Sequence, residues 1–263
     1  STLFPYTTLF RSPYSAMAML VGADMLPNEG MFRPIEVITR PGSMLHPLPP
    51  QPCYLAFWVL GTVVDAITAA LSQAADDLTP SGSINDIGAV MFYGGFGTGQ
   101  EMWFAGSSLP VGQGAYRGGD GGTLYQPGLA FSTVVPMEVE EAKGRPVVYE
   151  SMEFRTDSCG PGQWRGGMGW RRQLRVLEDC NIIATVESTK TPAWGQQGGR
   201  SGATSRLTII DPSGARRELG KATGVKLAKG TVVCIEPGGG GGYGDPLTIW
   251  RSEERRVGKE CRS

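Results

Sequence analysis

The sequence has little histidine and few cysteines for its length. Among its 263 residues there are one histidine and five cysteines, and no two cysteines have the Cys-x-x-Cys spacing of a metal site. A zinc centre is therefore not predicted. No segment combines a basic start, a long apolar run and a small-residue cleavage site, so a secretion signal is not predicted either. These absences indicate reduced thiols in a cytoplasmic protein.

The two ends of the chain are related to each other through the genetic code. Codons can be chosen for Thr2–Ser12 whose reverse complement encodes Arg251–Cys261. This relationship is typical of one synthetic oligonucleotide read on both strands, and it resembles a sequencing adapter. We therefore expect residues 1–12 and 251–263 to be artificial and to make few tertiary contacts.

The net charge of the chain is small once these ends are set aside. Six of the 24 basic residues and three of the 25 acidic residues lie in the two ends. The interior then has a net charge of about −4 by formal counting. No basic patch remains for nucleic acid or for an anionic membrane, and neither is expected as a partner.

Glycine, in contrast, is abundant, with 39 residues. The glycines follow no triplet period, which excludes collagen. They lie between β-branched runs and predict many tight turns that join strands.

One long helix is predicted at Tyr54–Leu78, which is apolar nearly all round as far as Leu71. Asp65 lies in its middle, and Asp76 and Asp77 close it without basic flanks. A charged residue at the centre of a bilayer would be costly, so the pattern favours a buried helix over a membrane span. A shorter helix is predicted at Pro13–Met25.

Short strands separated by turns are predicted for most of the remaining chain. Two hairpins are expected, one joining Trp170–Leu177 to Ile182–Ser188 and one joining Arg206–Asp211 to Arg216–Leu219. Single strands are expected at Met31–Thr39, Ile87–Tyr93, Glu101–Ala105, Val147–Arg155 and Val232–Glu236. The fold class is therefore α+β, with a helical segment at 13–80 and a predominantly β part at 81–250, a sandwich or a barrel, within one domain.

Two glycine clusters permit two interpretations. Successive N–H groups at Gly238–Pro246 could form a nest for a phosphate group. However, no Gly-Lys-Ser/Thr follows and no clear helix begins there, so a close-packed turn is the preferred interpretation. The same ambiguity applies to Gly94–Gly99, which lacks the strand, turn and helix of a dinucleotide site.

Four side chains are candidates for chemistry. His46 could act as a general base, the role that histidine most often takes in acid–base catalysis, although a loop histidine is the alternative. Asp65 in an apolar helix must be paired or have a raised pKa. We prefer a structural role, in which hydrogen bonds satisfy its carboxylate, over a catalytic role. Arg33 and Arg165 could each clamp a carboxylate bidentately, or could hold loops by binding backbone carbonyl groups.

Several motifs occur in a fixed order across the interior. They are Met31-Phe-Arg-Pro-Ile-Glu-Val-Ile38, Pro41-Gly-Ser-Met-Leu-His-Pro47, Thr133–Glu140, Ser158-Cys-Gly-Pro-Gly-Gln-Trp-Arg-Gly-Gly167, Pro192-Ala-Trp-Gly195, Gly220-Lys-Ala-Thr223 and Pro237–Pro246. This succession resembles the C-terminal part of the B-type subunit of the hydantoinase, 5-oxoprolinase and acetone carboxylase superfamily. The chain departs from that pattern at His46, where the family usually has asparagine, and at Cys53–Phe57, where a polar glycine-asparagine stretch is usual.

The resemblance implies a subunit of an ATP-dependent amidohydrolase that opens a cyclic amide such as hydantoin or 5-oxoproline. It implies that the complete enzyme uses ATP, bound by an A-type subunit or domain, and a divalent metal held by motifs of the N-terminal half. This fragment is then expected to bind neither and to be inactive alone. Two alternatives stay open: a subunit of an acetone or acetophenone carboxylase, and a non-catalytic scaffold that docks the A-type partner.

Overall fold

The computed structural model describes residues 28–51, 56–75, 77–85, 88–95, 101–108, 110–123 and 137–248. Both of the ends that we expect to be artificial lie outside these residues, as does the helix predicted at Pro13–Met25. Among the described helices, none is long and apolar enough to cross a membrane.

Two antiparallel sheets contain the nine strands of the described residues. The strands are β1 (Ala89–Gly94), β2 (Trp103–Ser107), β3 (Val147–Phe154), β4 (Trp170–Val176), β5 (Cys180–Thr185), β6 (Arg206–Ile210), β7 (Arg216–Leu219), β8 (Lys221–Leu227) and β9 (Val232–Glu236). The four-stranded sheet has the order β2-β1-β5-β8, and the five-stranded sheet has the order β3-β4-β9-β6-β7. The predominantly β, α+β fold predicted from the sequence is confirmed.

The sheets pack face to face because their strands alternate in burial. Along β4 and β5 every second residue is buried, as expected for strands with one face toward a core. Leu174 and Ile182 are fully buried on β4 and β5, and Ile209 and Ile235 are fully buried on β6 and β9. These residues belong to one apolar cluster drawn from both sheets. The core is therefore that of a β-sandwich.

The first predicted hairpin is wrong. β4 pairs with β3 and β9 in one sheet, whereas β5 pairs with β1 and β8 in the other. Residues 177–179 carry the chain across the sandwich, so the two alternating strands bury their apolar faces against each other. The second predicted hairpin is confirmed: β6 pairs with β7, and Gly214 has a positive φ of 84° in the turn between them.

A corner between β7 and β8 closes one side of the sandwich. Only Gly220 separates the two strands, yet they belong to different sheets. β8 was not predicted as a strand, because its residues are mostly exposed and show no simple alternation. On the opposite side β2 and β3 are the outer strands of their sheets.

The helices lie outside the sandwich. They are α1 (Glu29–Phe32), α2 (Ala56–Leu71) and α3 (Met137–Glu141). The strand predicted at Met31–Thr39 is wrong: its first residues belong to α1, and residues 35–40 have no regular secondary structure. Pro34 cannot continue a helix, which explains the short length of α1.

Helix α2 is shorter and less buried than the sequence predicts. It ends at Leu71 instead of Leu78. Val64 and Thr68 are buried on one side, whereas Ala66 and Ala70 are exposed. Alanine at the exposed positions made the segment look apolar all round.

A segment at the end of the described chain, Gly238–Gly244, forms what we call the central thread. Its N–H groups donate to different neighbouring segments. Gly240 donates to the carbonyl oxygen of Gly167 at 2.9 Å, and Tyr243 donates to that of Trp164 at 2.9 Å. Between these two hydrogen bonds the donor advances by three residues along the thread, and the acceptor shifts by three residues in the opposite direction along its own segment. Three residues is the period of a polyproline II helix.

The carbonyl oxygens of the thread accept hydrogen bonds with the same three-residue period. Gly112 donates to the carbonyl oxygen of Gly238 at 3.3 Å, and Ala115 donates to that of Gly241 at 2.9 Å. The thread is therefore hydrogen-bonded to several surrounding segments, whereas a strand in a sheet bonds only to the strand on each side. We call the whole arrangement the glycine bundle; it consists of the central thread and residues 81–84, 112–115, 158–167 and 193–203.

Candidate functional site

The central thread is the first place to test for a phosphate site. Its N–H groups are already used, because Gly240, Gly241 and Gly242 each donate to a backbone oxygen at 2.9 Å. Space is also absent: a Cβ atom added at Gly240 would lie 1.9 Å from the carbonyl oxygen of Gln113. The close-packed interpretation of this motif therefore holds, and the thread has no open anion nest.

Asp65 joins helix α2 to the glycine bundle. Its carboxylate accepts hydrogen bonds from the backbone N–H of Ser83 and from Nε1 of Trp194, each at 3.3 Å. The side chain of Asn85 also donates to it. These partners come from the loop after α2 and from a distant part of the chain. Asp65 is thus structurally satisfied, as the sequence reasoning preferred.

Burial nevertheless raises the pKa of Asp65. Removal from water disfavours the ionised carboxylate, whereas the three hydrogen bonds favour it and lower the pKa. The desolvation effect is the larger one, so the protonated form of Asp65 is favoured over the ionised form more strongly in the folded chain than in water.

A row of hydroxyl groups lies beside Asp65 on the segment 79–83. The side chain of Gln196 donates to Oγ1 of Thr79 at 3.1 Å, and Oγ of Ser81 donates to the carbonyl oxygen of Gly242 at 2.8 Å. Oγ of Ser83 accepts from the N–H of Gly114 at 3.0 Å. The hydroxyl groups therefore tie the loop after α2 to the bundle.

Trp194 and Ser83 were missed as site residues by sequence reasoning. Trp194 lies in the motif Pro192-Ala-Trp-Gly195, so the motif was a usable signal. Ser83 bonds Asp65 through its backbone N–H, and no pattern of side chains reveals such a contact.

Arg165 binds a carboxylate of the same chain. Its backbone N–H and its Nε donate to the two carboxylate oxygens of Asp120, at 2.9 Å and 3.2 Å. The N–H of Gly121 in turn donates to the carbonyl oxygen of Arg165. One guanidinium N–H and the backbone N–H share the carboxylate, instead of the two guanidinium N–H groups of a bidentate clamp, and together they hold the loop at 120–121 in place.

The other two candidates belong to the N-terminal part of the described chain. His46 is half-buried, with Nδ1 2.8 Å from Oγ1 of Thr39, and its carbonyl oxygen accepts from Gly42 at 2.8 Å. Arg33 is exposed directly after α1. The structure gives Arg33, His46, Asp65 and Arg165 different partners and does not bring them together as one catalytic group. Their catalytic roles stay a prediction.

Arg155 was also missed by sequence reasoning. Its Nη1 donates to the carbonyl oxygen of Thr204 at 2.6 Å and to that of Glu236 at 3.1 Å. Burial lowers the pKa of Arg155. The guanidinium fixes the chain where β9 leads into the central thread.

Two buried thiols of the described residues, those of Cys180 and Cys234, are not activated. Neither these two cysteines nor the buried Cys159 forms a disulfide. Burial raises the pKa of Cys180 to about 12 and also raises that of Cys234. Both thiols are therefore protonated at neutral pH and are poor nucleophiles.

The sequence profile of one family covers nearly the whole chain. The hydantoinase B/oxoprolinase profile matches residues 4–246. The chain belongs to the hydantoinase B/oxoprolinase family. The resemblance carried by the ordered motifs is thereby confirmed.

Relatives within the hydantoinase B/oxoprolinase family are longer than this chain. An uncharacterised protein of Methanocaldococcus jannaschii is 29% identical over 242 residues, which are 92% of this chain and 42% of that protein. The putative B-type subunit of a D-/L-hydantoinase from a Pseudomonas species is 27% identical, and the match covers 84% of this chain and 37% of that protein. The β subunit of the caprolactamase of Pseudomonas jessenii is 27% identical, with 84% and 40% covered. The chain thus spans less than half the length of these relatives.

Two solved structures share the fold of this hydantoinase B/oxoprolinase chain. The crystal structure of ATP-dependent caprolactamase from Pseudomonas jessenii has a TM-score of 0.77 at 22% identity, over 93% of this chain and 45% of that chain. The nucleotide-free structure of acetone carboxylase has a TM-score of 0.57 at 18% identity, over 78% and 32%. At these identities the likeness shows the fold alone.

Two features of the described residues bear on the ATP and divalent metal that the family resemblance implies for a complete enzyme. The central thread has no free N–H cradle for phosphate at Gly240–Gly242. No group of three or more His, Cys, Asp or Glu side chains within the described ranges could hold a metal ion.

Proposed function

We propose that this chain is part of a B-type subunit of an ATP-dependent amidohydrolase that opens cyclic amides such as hydantoin or 5-oxoproline. The family match over residues 4–246 carries the proposal. It is supported by the names of relatives, which include a putative D-/L-hydantoinase, a caprolactamase and 5-oxoprolinases. Each of these names is consistent with the opening of a cyclic amide.

In this proposal the described residues supply a rigid scaffold. Asp65 anchors helix α2 on the glycine bundle, and Arg165 holds the adjoining loop through Asp120. ATP and a divalent metal are proposed to act in the complete enzyme on residues other than those described, with an A-type subunit as the partner.

The test uses the complete gene that contains this sequence, co-expressed with an A-type partner. Hydantoin, 5-oxoproline and a larger lactam are each supplied with ATP and Mg²⁺, and the ring-opened product is measured by mass spectrometry together with ADP. The proposal predicts a ring-opened product that forms in step with ADP and needs both subunits. ATP-independent opening, or no opening of any cyclic amide, would contradict it.

A carboxylase is the second candidate, because the acetone carboxylase structure shares the fold. The names of the relatives found by sequence, which include a putative hydantoinase, a caprolactamase and a 5-oxoprolinase, favour the amidohydrolase. The same preparation distinguishes the two: a carboxylase fixes labelled bicarbonate onto acetone or acetophenone with ATP and leaves cyclic amides intact.

A non-catalytic scaffold is the third candidate, and it makes a different prediction. The isolated chain would bind the A-type partner, yet neither ring opening nor carboxylation would appear with the complete gene. Failure of the two proteins to co-purify would count against it.

A further inference from the structure

A cavity of about 200 Å³ opens on the side of the sandwich that the β7–β8 corner does not close. Its walls come from β1 and β2 of one sheet and from β3 and β4 of the other. Phe92, Val147 and Leu174 line it, and all three belong to the buried core cluster. The cavity therefore extends from the surface between the sheets to the apolar core.

The mouth of this cavity is cationic. The charged residues that line it are Lys143 and Arg145, on the short link between α3 and β3. Both are exposed. The exposed carboxylate of Glu141, on the adjacent helix, does not line the cavity and accepts a hydrogen bond from the N–H of Tyr149 at 2.9 Å.

Apolar surface also continues to the rim. Phe104 lines the cavity and is 54% exposed. Ala105 and Gly106 complete this wall without a long side chain. The cavity wall formed by β2 is thus apolar, and two positively charged side chains also line the cavity.

We infer that this cavity is a binding site for a small monocarboxylate with a short apolar tail. The tail lies against Phe92 and Leu174, and the carboxylate at the mouth pairs with Lys143 and Arg145. A concave site with apolar walls and a few polar groups that orient the ligand is the usual form of a small-molecule site. Hydrogen bonds between a cation and a carboxylate are stronger than neutral ones and orient the ligand. The site shares no residue with the Asp65 cluster and does not depend on the proposed function.

The chain is titrated with sodium hexanoate by isothermal calorimetry, and with hexan-1-ol as the neutral molecule of the same tail length. Hexanoate is expected to bind saturably at one site. Hexan-1-ol is expected to bind about tenfold or more weakly, because it lacks the charge-assisted hydrogen bonds. Absence of saturable hexanoate binding, or equal affinity for the alcohol, overturns the inference.

Variants locate the site. Lys143→Gln and Arg145→Gln are each expected to weaken hexanoate binding by about threefold, and the double variant by about tenfold. Lys190→Gln removes an exposed lysine that does not line the cavity and should leave the affinity unchanged. Circular dichroism melting checks that the variants remain folded. Unchanged binding in the double variant, or an equal loss in Lys190→Gln, overturns the inference.

Discussion

At the scale of single residues, the structure assigns most candidate side chains to partners within the chain. Arg165 binds Asp120, and His46 lies beside Thr39. Asp65 differs because burial raises its pKa even though it accepts several hydrogen bonds. The sequence correctly predicted that a carboxylate in an apolar helix is paired or shifted in pKa. It could not name Trp194 as a partner, since the two residues are 129 positions apart.

The raised pKa of Asp65 makes a prediction about stability and pH. A carboxyl group whose pKa is higher in the folded state favours folding when it is protonated. This contribution is present below the unfolded value, near 3.8, and is lost as the pH rises through the folded value. Asp65→Asn cannot titrate, so the stability of wild type relative to this variant should fall as the pH rises from about 4. Urea denaturation across this pH range measures the difference.

Asp77→Asn is the matched control for Asp65→Asn. Asp77 is an exposed carboxylate that contacts Arg117 at 3.4 Å on the surface. The same chemical change there removes one surface charge without touching the bundle. If the stability of wild type relative to Asp65→Asn rises with pH, or does not vary with pH, the conclusion that burial raises the pKa of Asp65 is contradicted.

At the scale of elements, the sequence predicted the positions of strands better than it predicted which strands pair. β3 and β9 lie where strands were predicted, although the burial of their residues does not alternate with a strict period of two. The β4–β5 hairpin was wrong because a short turn between two alternating strands permits either pairing within a sheet or crossing between sheets. The glycine bundle was predicted only as turns, since its hydrogen bonds connect segments that are far apart in sequence.

Alanine at Gly240 tests the close packing of the central thread. The added methyl group would lie 1.9 Å from the carbonyl oxygen of Gln113, so the backbone must move. We expect a loss of about 3 kcal/mol or more in the free energy of unfolding. Gly106→Ala is the control, because its Cβ atom would meet its nearest neighbour at 3.7 Å. A change of less than about 1 kcal/mol in the free energy of unfolding is expected for this control. An equal loss in both variants would contradict the close packing of the central thread.

At the scale of the whole molecule, two sheets share one core and the glycine bundle extends it. Val233 and Ile235 on β9 are buried between the sheets, and the chain then runs directly into the central thread. Damage to the core should therefore reach the bundle as well.

Leu207→Ala tests this shared core. Leu207 is fully buried on β6, so its truncation leaves a cavity and should cost about 2–5 kcal/mol. Leu247→Ala makes the same change at a residue that is 88% exposed, and should cost less than about 0.5 kcal/mol. Thermal melting followed by circular dichroism and by tryptophan fluorescence measures both. A similar shift in melting temperature for the two variants would count against the described core.

The sequence by itself determined the family, the α+β class and the positions of the alternating strands. These follow from local patterns: the order of motifs, the spacing of apolar residues and the placement of glycine and proline. Only the tertiary structure decided that β4 and β5 lie in different sheets, that Asp65 meets Trp194, and that the N–H groups of Gly240–Gly242 have backbone partners. The physical reason is that hydrogen bonds and desolvation depend on neighbours distant in the chain, which no local pattern specifies.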